Sequence, residues 1–318
     1  CSCSQGEKKT QDTDFHYLLD EFADLKVIRF RVPGWDNLSL RQKEYAYHLS
    51  EAAKLGRDIT WDQYCKWNLP IRHVVEDILN EYEGDRECAD FQNFTVYAKR
   101  LFFANGIHHH YSEDKFFPEC PKEYFQSLME AVGDGEQATE LLEVIYSPDI
   151  YPQRRSTSKT GDIVELSAVN FYDGVTREEV DKYYNSMMDP NDKTPISYGL
   201  NTKVVKEDGK VVEKPWKVGG IYGPALEKIC AELEKAAAVA ETDLQKEAIG
   251  KLVEYYRTGD LKTWDDFNID WVQDTVGTID FINGFIEDYD DPLGRKATWE
   301  GYVNMKDSAA SARTEVLS

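Results

Sequence analysis

The sequence predicts an α+β fold, and three observations carry that prediction. Helical spacing of apolar residues dominates the first 150 positions. Short extended stretches mix with helices after them. An apolar content of 41%, with 13% aromatic residues, is enough to fill a sizeable core in 318 residues. The length suits two domains better than one. The reading is a polar tether over 1–13, a mainly helical segment over 14–150 and an α+β segment over 151–318.

The elements follow in order. Residues 25–32 alternate from Ile28 onward and read as a half-buried strand stopped by Pro33-Gly34. Helices are expected over 39–55, stopping at Gly56, and over 71–82 and 90–105. In the last of these Phe91, Phe94, Ala98, Leu101 and Phe102 share one face before Gly106. Two more helices are expected over 122–132 and 137–145, followed by an exposed run over 151–158. Residues 162–170 read as a strand. Thr176 and Glu179 form a capping box for a helix through Met187. Strands over 196–206 and 210–217 flank Asp208-Gly209, a strong hairpin signal. Gly223-Pro224 opens a helix striped by Leu226, Ile229, Leu233 and Ala237, and Thr242 with Gln245 caps the next, which ends at Gly259. Helices are expected over 279–289, closed by the 290–294 turn, and over 303–317. The last of these stops without a cap, which suggests a piece of a longer protein. There is no internal repeat.

Charge narrows the partners. Thirty-seven basic residues against 59 acidic ones leave a net charge of −22, so a basic surface for a phosphate backbone is missing and nucleic-acid binding is excluded. No apolar run approaches the roughly 20 residues of a membrane span. The first residue is Cys1, followed by a polar stretch, which is what signal-peptidase cleavage of a bacterial lipoprotein leaves. A lipid on Cys1 would then be the only membrane contact and would place the protein in the bacterial cell envelope, facing the periplasm. An arbitrary boundary, with a cytoplasmic protein, is the alternative. The six cysteines contain no C-x-x-C pair and read mostly as buried free thiols.

Motifs with chemistry are scarce. No H-E-x-x-H, G-x-S-x-G, P-loop or dinucleotide fingerprint occurs. His73 precedes Glu76 but is followed by the wrong residue for an inverted zinc motif, and reads as a helix-surface residue. His108-His109-His110, with Glu113 and Asp114 close behind, is the one conspicuous run. Three consecutive side chains point different ways, so a cleft-lining loop is favoured over a weak metal site. On residue chemistry alone the chain is a soluble mixed domain without a catalytic centre of its own.

The stretch 279–289, IDFINGFIEDY, followed by Asp291-Pro292-Leu293-Gly294 and Trp299-Glu300-Gly301, resembles the dipeptidyl peptidase III family of zinc exopeptidases. Trp271-Val272-Gln273-Asp274, the 197–202 stretch SYGLNT, Asn170-Phe171-Tyr172, and Ala104-Asn105-Gly106 with Lys115-Phe116 and Pro118 fit in the same order. The resemblance covers most of 85–310 and is nearest to Bacteroidetes members, which often begin as lipoproteins.

That resemblance implies the lower lobe of a two-lobed peptidase, a small mixed β-barrel wrapped by helices. It implies the N-terminal, substrate-binding part of an enzyme that removes dipeptides from the free N-terminus of short peptides. The family's His-Glu-x-x-Gly-His zinc helix has no counterpart here, so zinc is expected in the full-length enzyme, beyond residue 318, and none in this part, which alone is expected to be inactive. Asp280 aligns with the acidic residue that binds the substrate's terminal ammonium, where the family often has the longer Glu; an acidic helix residue in solvent is the bland alternative. Ile282 replaces a Tyr. Tyr111 aligns with an aromatic residue lining a side-chain pocket, and Asn201 and Asn283, polar neighbours of matching motifs, are further substrate-binding candidates. Competing readings are a non-catalytic, lipid-anchored peptide-binding module and a structural surface lipoprotein.

Overall fold

The structure, a computed structural model, describes residues 15–316. Strands β1 (Leu18–Phe22) and β2 (Leu25–Ile28) form a hairpin. They are followed by helices α1 (Leu40–Leu55), α2 (Arg57–Tyr64), α3 (Asn68–Glu81), α4 (Ala89–Ala104), α5 (Lys122–Ala131) and α6 (Ala138–Tyr146). Then come β3 (Tyr172–Asp173), α7 (Arg177–Asn185), β4 (Thr202–Glu207), β5 (Lys210–Pro215), α8 (Gly223–Ala238), α9 (Asp243–Thr258) and α10 (Leu261–Gln273). The strands β6 (Ile279–Glu287) and β7 (Thr298–Met305) and the helix α11 (Ser308–Glu315) complete the chain. Cys1 and the 1–13 tether lie outside the described residues.

Two large cores organise these elements. The first joins α1 to α8, α9, α10, β6 and β7, through residues such as Leu49, Leu226, Ile249, Tyr256, Phe281, Phe285 and Trp299. The second is helical, built from α2 to α6 around Trp61, Phe94, Leu101, Phe125 and Leu141. A small third cluster, Val175, Val180, Tyr184 and Val204, sits between α7 and the β3–β4–β5 sheet. Local signals fix several element ends. Ser39 and Thr176 each make a full capping box, with Gln42 and Glu179. Asp208 and Gly209 adopt φ of 49° and 76°, as a type I′ hairpin turn between β4 and β5 requires.

The mixed α+β character holds, but the closed barrel implied by the resemblance does not. Among the described residues the strands form three separate sheets: β1–β2, β3–β4–β5 and β6–β7. The β6–β7 hairpin is covered by helices instead of closing with the other strands. It packs against α1 and α2, and small residues let it approach closely. A Cβ on Gly56 would stand 2.0 Å from the Trp299 indole, and one on Gly301 would stand 3.0 Å from Ala53.

Four further expectations are corrected. Residues 279–287 form strand β6, antiparallel to β7, not a helix. Apolar side chains on both faces, buried Phe281 and Phe285 on one and half-buried Ile282 and Ile286 on the other, mimic helical spacing. Residues 303–305 continue β7, and the helix begins only at Ser308, where the Asp307 carboxylate caps it. Residues 162–170 are turns, because the Asp162 side chain accepts from the Val164 and Arg177 amides and draws the backbone out of strand geometry. In the 151–158 run, Arg154 and Ser156 are buried, not exposed. Asp290 and Glu113 neutralise the arginine, and the Ser156 amide donates to Ser167 Oγ.

Candidate functional site

Asp280 is held on β6 between two core anchors, Ile279 and Phe281. Glu241, after α8, fixes the start of that strand: its Oε1 accepts from the Thr278 and Ile279 amides at 2.9 and 2.8 Å, while Oε2 accepts from Gln42 Nε2 at 2.7 Å. Gln245 Nε2 adds a bond to the Ile279 carbonyl at 3.2 Å. The Asp280 carboxylate itself is exposed at the protein surface. Its Oδ1 accepts from Trp271 Nε1 at 3.0 Å and from the Phe281 amide at 2.8 Å, which leaves Oδ2 without a partner among the described residues. Trp271 Nε1 also reaches the Phe281 carbonyl at 3.0 Å, so the indole ties α10 to β6 and orients the acid. The arrangement presents one fixed carboxylate oxygen to an incoming donor.

The other predicted site residues lie elsewhere. Asn283 is 2% exposed and faces the core, where its Oδ1 accepts from the Tyr256 hydroxyl at 2.7 Å. Asn201 is 1% exposed and donates to the Gly259 carbonyl at 3.1 Å, pinning the end of α9 to the start of β4. Ile282 is half-buried on the same face of β6 as Asp280. Tyr111 is 87% exposed, on the loop after α4. Of the residues named from the sequence, Asp280, Ile282 and Asn283 share β6, while Asn201 and Tyr111 lie on other parts of the chain.

The His109 and His110 rings lie 4.3 Å apart, but the three histidines do not converge on one point. His108 is buried, its Nε2 is 2.9 Å from the Tyr151 carbonyl, and burial holds it down to about 4, so it is neutral near pH 7. His109 Nδ1 accepts from the Tyr111 and Ser112 amides, and its Nε2 faces Asp24 at 3.4 Å. His110 packs edge-on to Phe103. His73 is exposed on α3. Among the described residues no group of three or more His, Cys, Asp or Glu side chains stands together as metal ligands. The donor set present therefore does not fit a zinc site. Of the described cysteines, Cys65, Cys120 and Cys230 are buried free thiols and Cys88 is half-buried.

Sequence reasoning missed several buried cations, of which Arg154 and Lys296 are the most buried. Arg154 Nη2 meets Asp290 at 2.9 Å and Glu113 at 3.5 Å, with its guanidinium 4.2 Å from the Tyr64 ring, and so locks the histidine loop to the turn after β6. Burial raises the Asp290 carboxyl while Arg154 pulls it back. Lys296, fully buried, donates to Tyr184 Oη at 2.8 Å and to Gly199 O and Thr202 Oγ1 at 3.1 Å. Both hydroxyls in turn donate to Glu213, at 2.6 and 2.8 Å. The only sequence signal for either cation was a basic residue near the D-P-L-G turn or in a polar run, which is too common to single one out.

This fold is similar to that of a known class of proteins. A family model described as peptidase family M49 matches residues 172–318, from β3 to the end of the chain. The relatives are more particular. Human dipeptidyl peptidase 3 is 26% identical over 322 residues, and the match spans 88% of this chain and 44% of that one. The Dictyostelium discoideum dipeptidyl peptidase 3 is 24% identical over 305 residues, spanning 87% and 43%. The similarity to the dipeptidyl peptidase III family is thereby shown, and the chain spans less than half the length of these curated relatives. Among solved structures, DPP III from Caldithrix abyssi superposes with a TM-score of 0.60 at 20% identity, covering 89% of this chain and 43% of that one. Dipeptidyl-peptidase III from Corallococcus sp. strain EGB gives 0.59 at 17%, covering 90% and 43%. At these identities the structural likenesses carry the fold.

Proposed function

We propose that this chain is the substrate-binding part of a zinc-dependent dipeptidyl peptidase that removes dipeptides from the free N-terminus of short peptides. The observation that carries the reading is Asp280, whose Oδ1 is fixed by Trp271 and the Phe281 amide while its other oxygen stays open to solvent. An enzyme that counts two residues from a free amine needs such a carboxylate, because a charged hydrogen bond is directional and costly to leave unmade. Tyr111, on its exposed loop, is the candidate for contact with a substrate side chain. Asn283 and Asn201 act from behind, by holding Tyr256 and Gly259.

The metal belongs to polypeptide outside these residues. When bound it would polarise the scissile carbonyl and its water. The residues present here bind and orient the peptide. Cys1 is the proposed lipid attachment, placing the protein in the cell envelope; a Cys1→Ser form should then leave the membrane fraction. The functional reading is tested by assaying the 318-residue chain beside the full encoded protein on a chromogenic dipeptidyl substrate. The reading expects dipeptide release by the full protein only. One equivalent of zinc with turnover in the 318-residue chain would contradict it, and release by neither would favour the non-catalytic binding module.

A further inference from the structure

Beneath Asp280 lies a small cavity of about 10 Å³, the room that one water or one ammonium group occupies. It is lined by residues far apart in sequence: Tyr45 from α1, Gln245 from α9, Trp271 and Asp274 at the end of α10, and Asp280 from β6. Asp280, exposed, stands at its mouth. Most polar atoms around it are already committed. Gln245 uses its Oε1 on the Glu241 amide and its Nε2 on the Ile279 carbonyl, and Trp271 Nε1 is shared between Asp280 and the Phe281 carbonyl.

Two atoms are not committed. Tyr45 is fully buried, yet its hydroxyl has no hydrogen-bond partner among the described residues. Asp274 Oδ1 is buried and also has none. Native interiors rarely leave such groups unpaired without a ligand or water to satisfy them. The charge balance points the same way. Asp274 closes α10 at its C-terminal end, where the helix dipole favours a cation over a carboxylate. Among the described residues no Lys or Arg pairs with Asp274 or Asp280, and the phenol of Tyr45 is pushed upward by burial and by the charges of Asp274, Glu241 and Asp280. Gly277 makes the placement possible, since a Cβ there would stand 2.8 Å from Asp274 Oδ2. An occupant that satisfies both atoms must offer hydrogen-bond donors, and a primary ammonium offers three together with a charge suited to the acidic lining.

We propose that Asp274 and the Tyr45 hydroxyl, together with Asp280, form the seat for the terminal ammonium of the bound peptide, Asp280 at the mouth and Asp274 beneath it. This rests on the reading of Asp280 as the amine anchor. Asp274 and Tyr45 are specificity-determining residues in it, not members of the reacting centre.

The test uses the full encoded protein, with a tetrapeptide of free N-terminus and its N-acetylated twin. Asp274→Asn should lower kcat/KM on the free peptide by roughly 10- to 100-fold, mainly through KM, and change the acetylated twin by less than about twofold. Its melting temperature should hold or rise, because like charges are removed. Tyr45→Phe should give a smaller loss, about 3- to 10-fold, with the same selectivity. If Asp280→Asn is selective for the free amine but Asp274→Asn leaves both peptides unchanged, the cavity holds only a structural water and this inference falls while the function stands. Equal losses on both peptides with a lowered melting temperature would make Asp274 a fold residue and overturn it too. If Asp280→Asn is itself unselective, or no dipeptide is released at all, the functional reading fails and the inference with it.

Discussion

Lys296 shows what a single side chain contributes when all its partners are internal. Its ammonium sits over the Tyr172 and Tyr184 rings and meets three oxygen acceptors, so the stretch before β7 is sewn to the β4–β5 hairpin and α7. Burial pushes Lys296 down to about 7, against the upward pull of Asp291 and Glu213. Between pH 7 and the ordinary lysine range, the unfolded chain keeps this proton while the fold releases it. Stability therefore rises with pH through that window, by up to about 1.4 kcal/mol per pH unit from this group. Below pH 7 both states are protonated and the contribution is flat, at its least favourable. Urea midpoints at pH 7 and 9 should diverge more in the wild type than in Lys296→Met. Equal shifts in the two proteins would show that the lysine keeps its charge in the fold.

At the scale of elements, close approach decides where β6 and β7 lie. Gly56 ends α1 where the Trp299 indole of β7 passes, with no room for a methyl group. Gly56→Ala should cost about 1–3 kcal/mol through overpacking, seen as a lower thermal midpoint. The contrasting site is Gly250, exposed inside α9 with nothing within 4 Å of its missing Cβ. Gly250→Ala should stabilise by about 0.5–1 kcal/mol, through helix propensity alone. A stabilising Gly56→Ala, or a destabilising Gly250→Ala, would mean that the packing around these helices is misread. The same physics explains what the sequence made legible. Helices with one buried face, such as α1, α4 and α8, and the Asp208-Gly209 hairpin are readable because their signals are local. Strand β6 is not, because apolar residues stand on both of its faces and blur its alternation. The 162–170 turns are not, because side-chain oxygens compete for backbone amides. Asp280 was legible only through the family motif around it. Tyr45 was not legible, and Asp274 only as the last residue of a matching motif, since nothing in sequence brings α1 and the end of α10 to one cavity.

Across the whole molecule, the first core joins α1 to the last three long helices and the β6–β7 hairpin, and this core carries the Asp280 surface. The helical second core supports the histidine loop, which Arg154 ties to the turn after β6 through Asp290. The proposed function places peptide recognition at the edge of the first core, around Asp280. The most direct test is Asp280→Asn in the full encoded protein, assayed on a free-amine peptide and on its N-acetylated form. Losing one partner of a partly desolvated charge pair should cost on the order of 2–4 kcal/mol, roughly 30- to 1,000-fold in kcat/KM. The account predicts that loss on the free peptide and a far smaller one on the acetylated peptide, with Asp280→Glu tolerated. Equal losses on both peptides would contradict it, and would leave Asp280 as a residue of the fold alone.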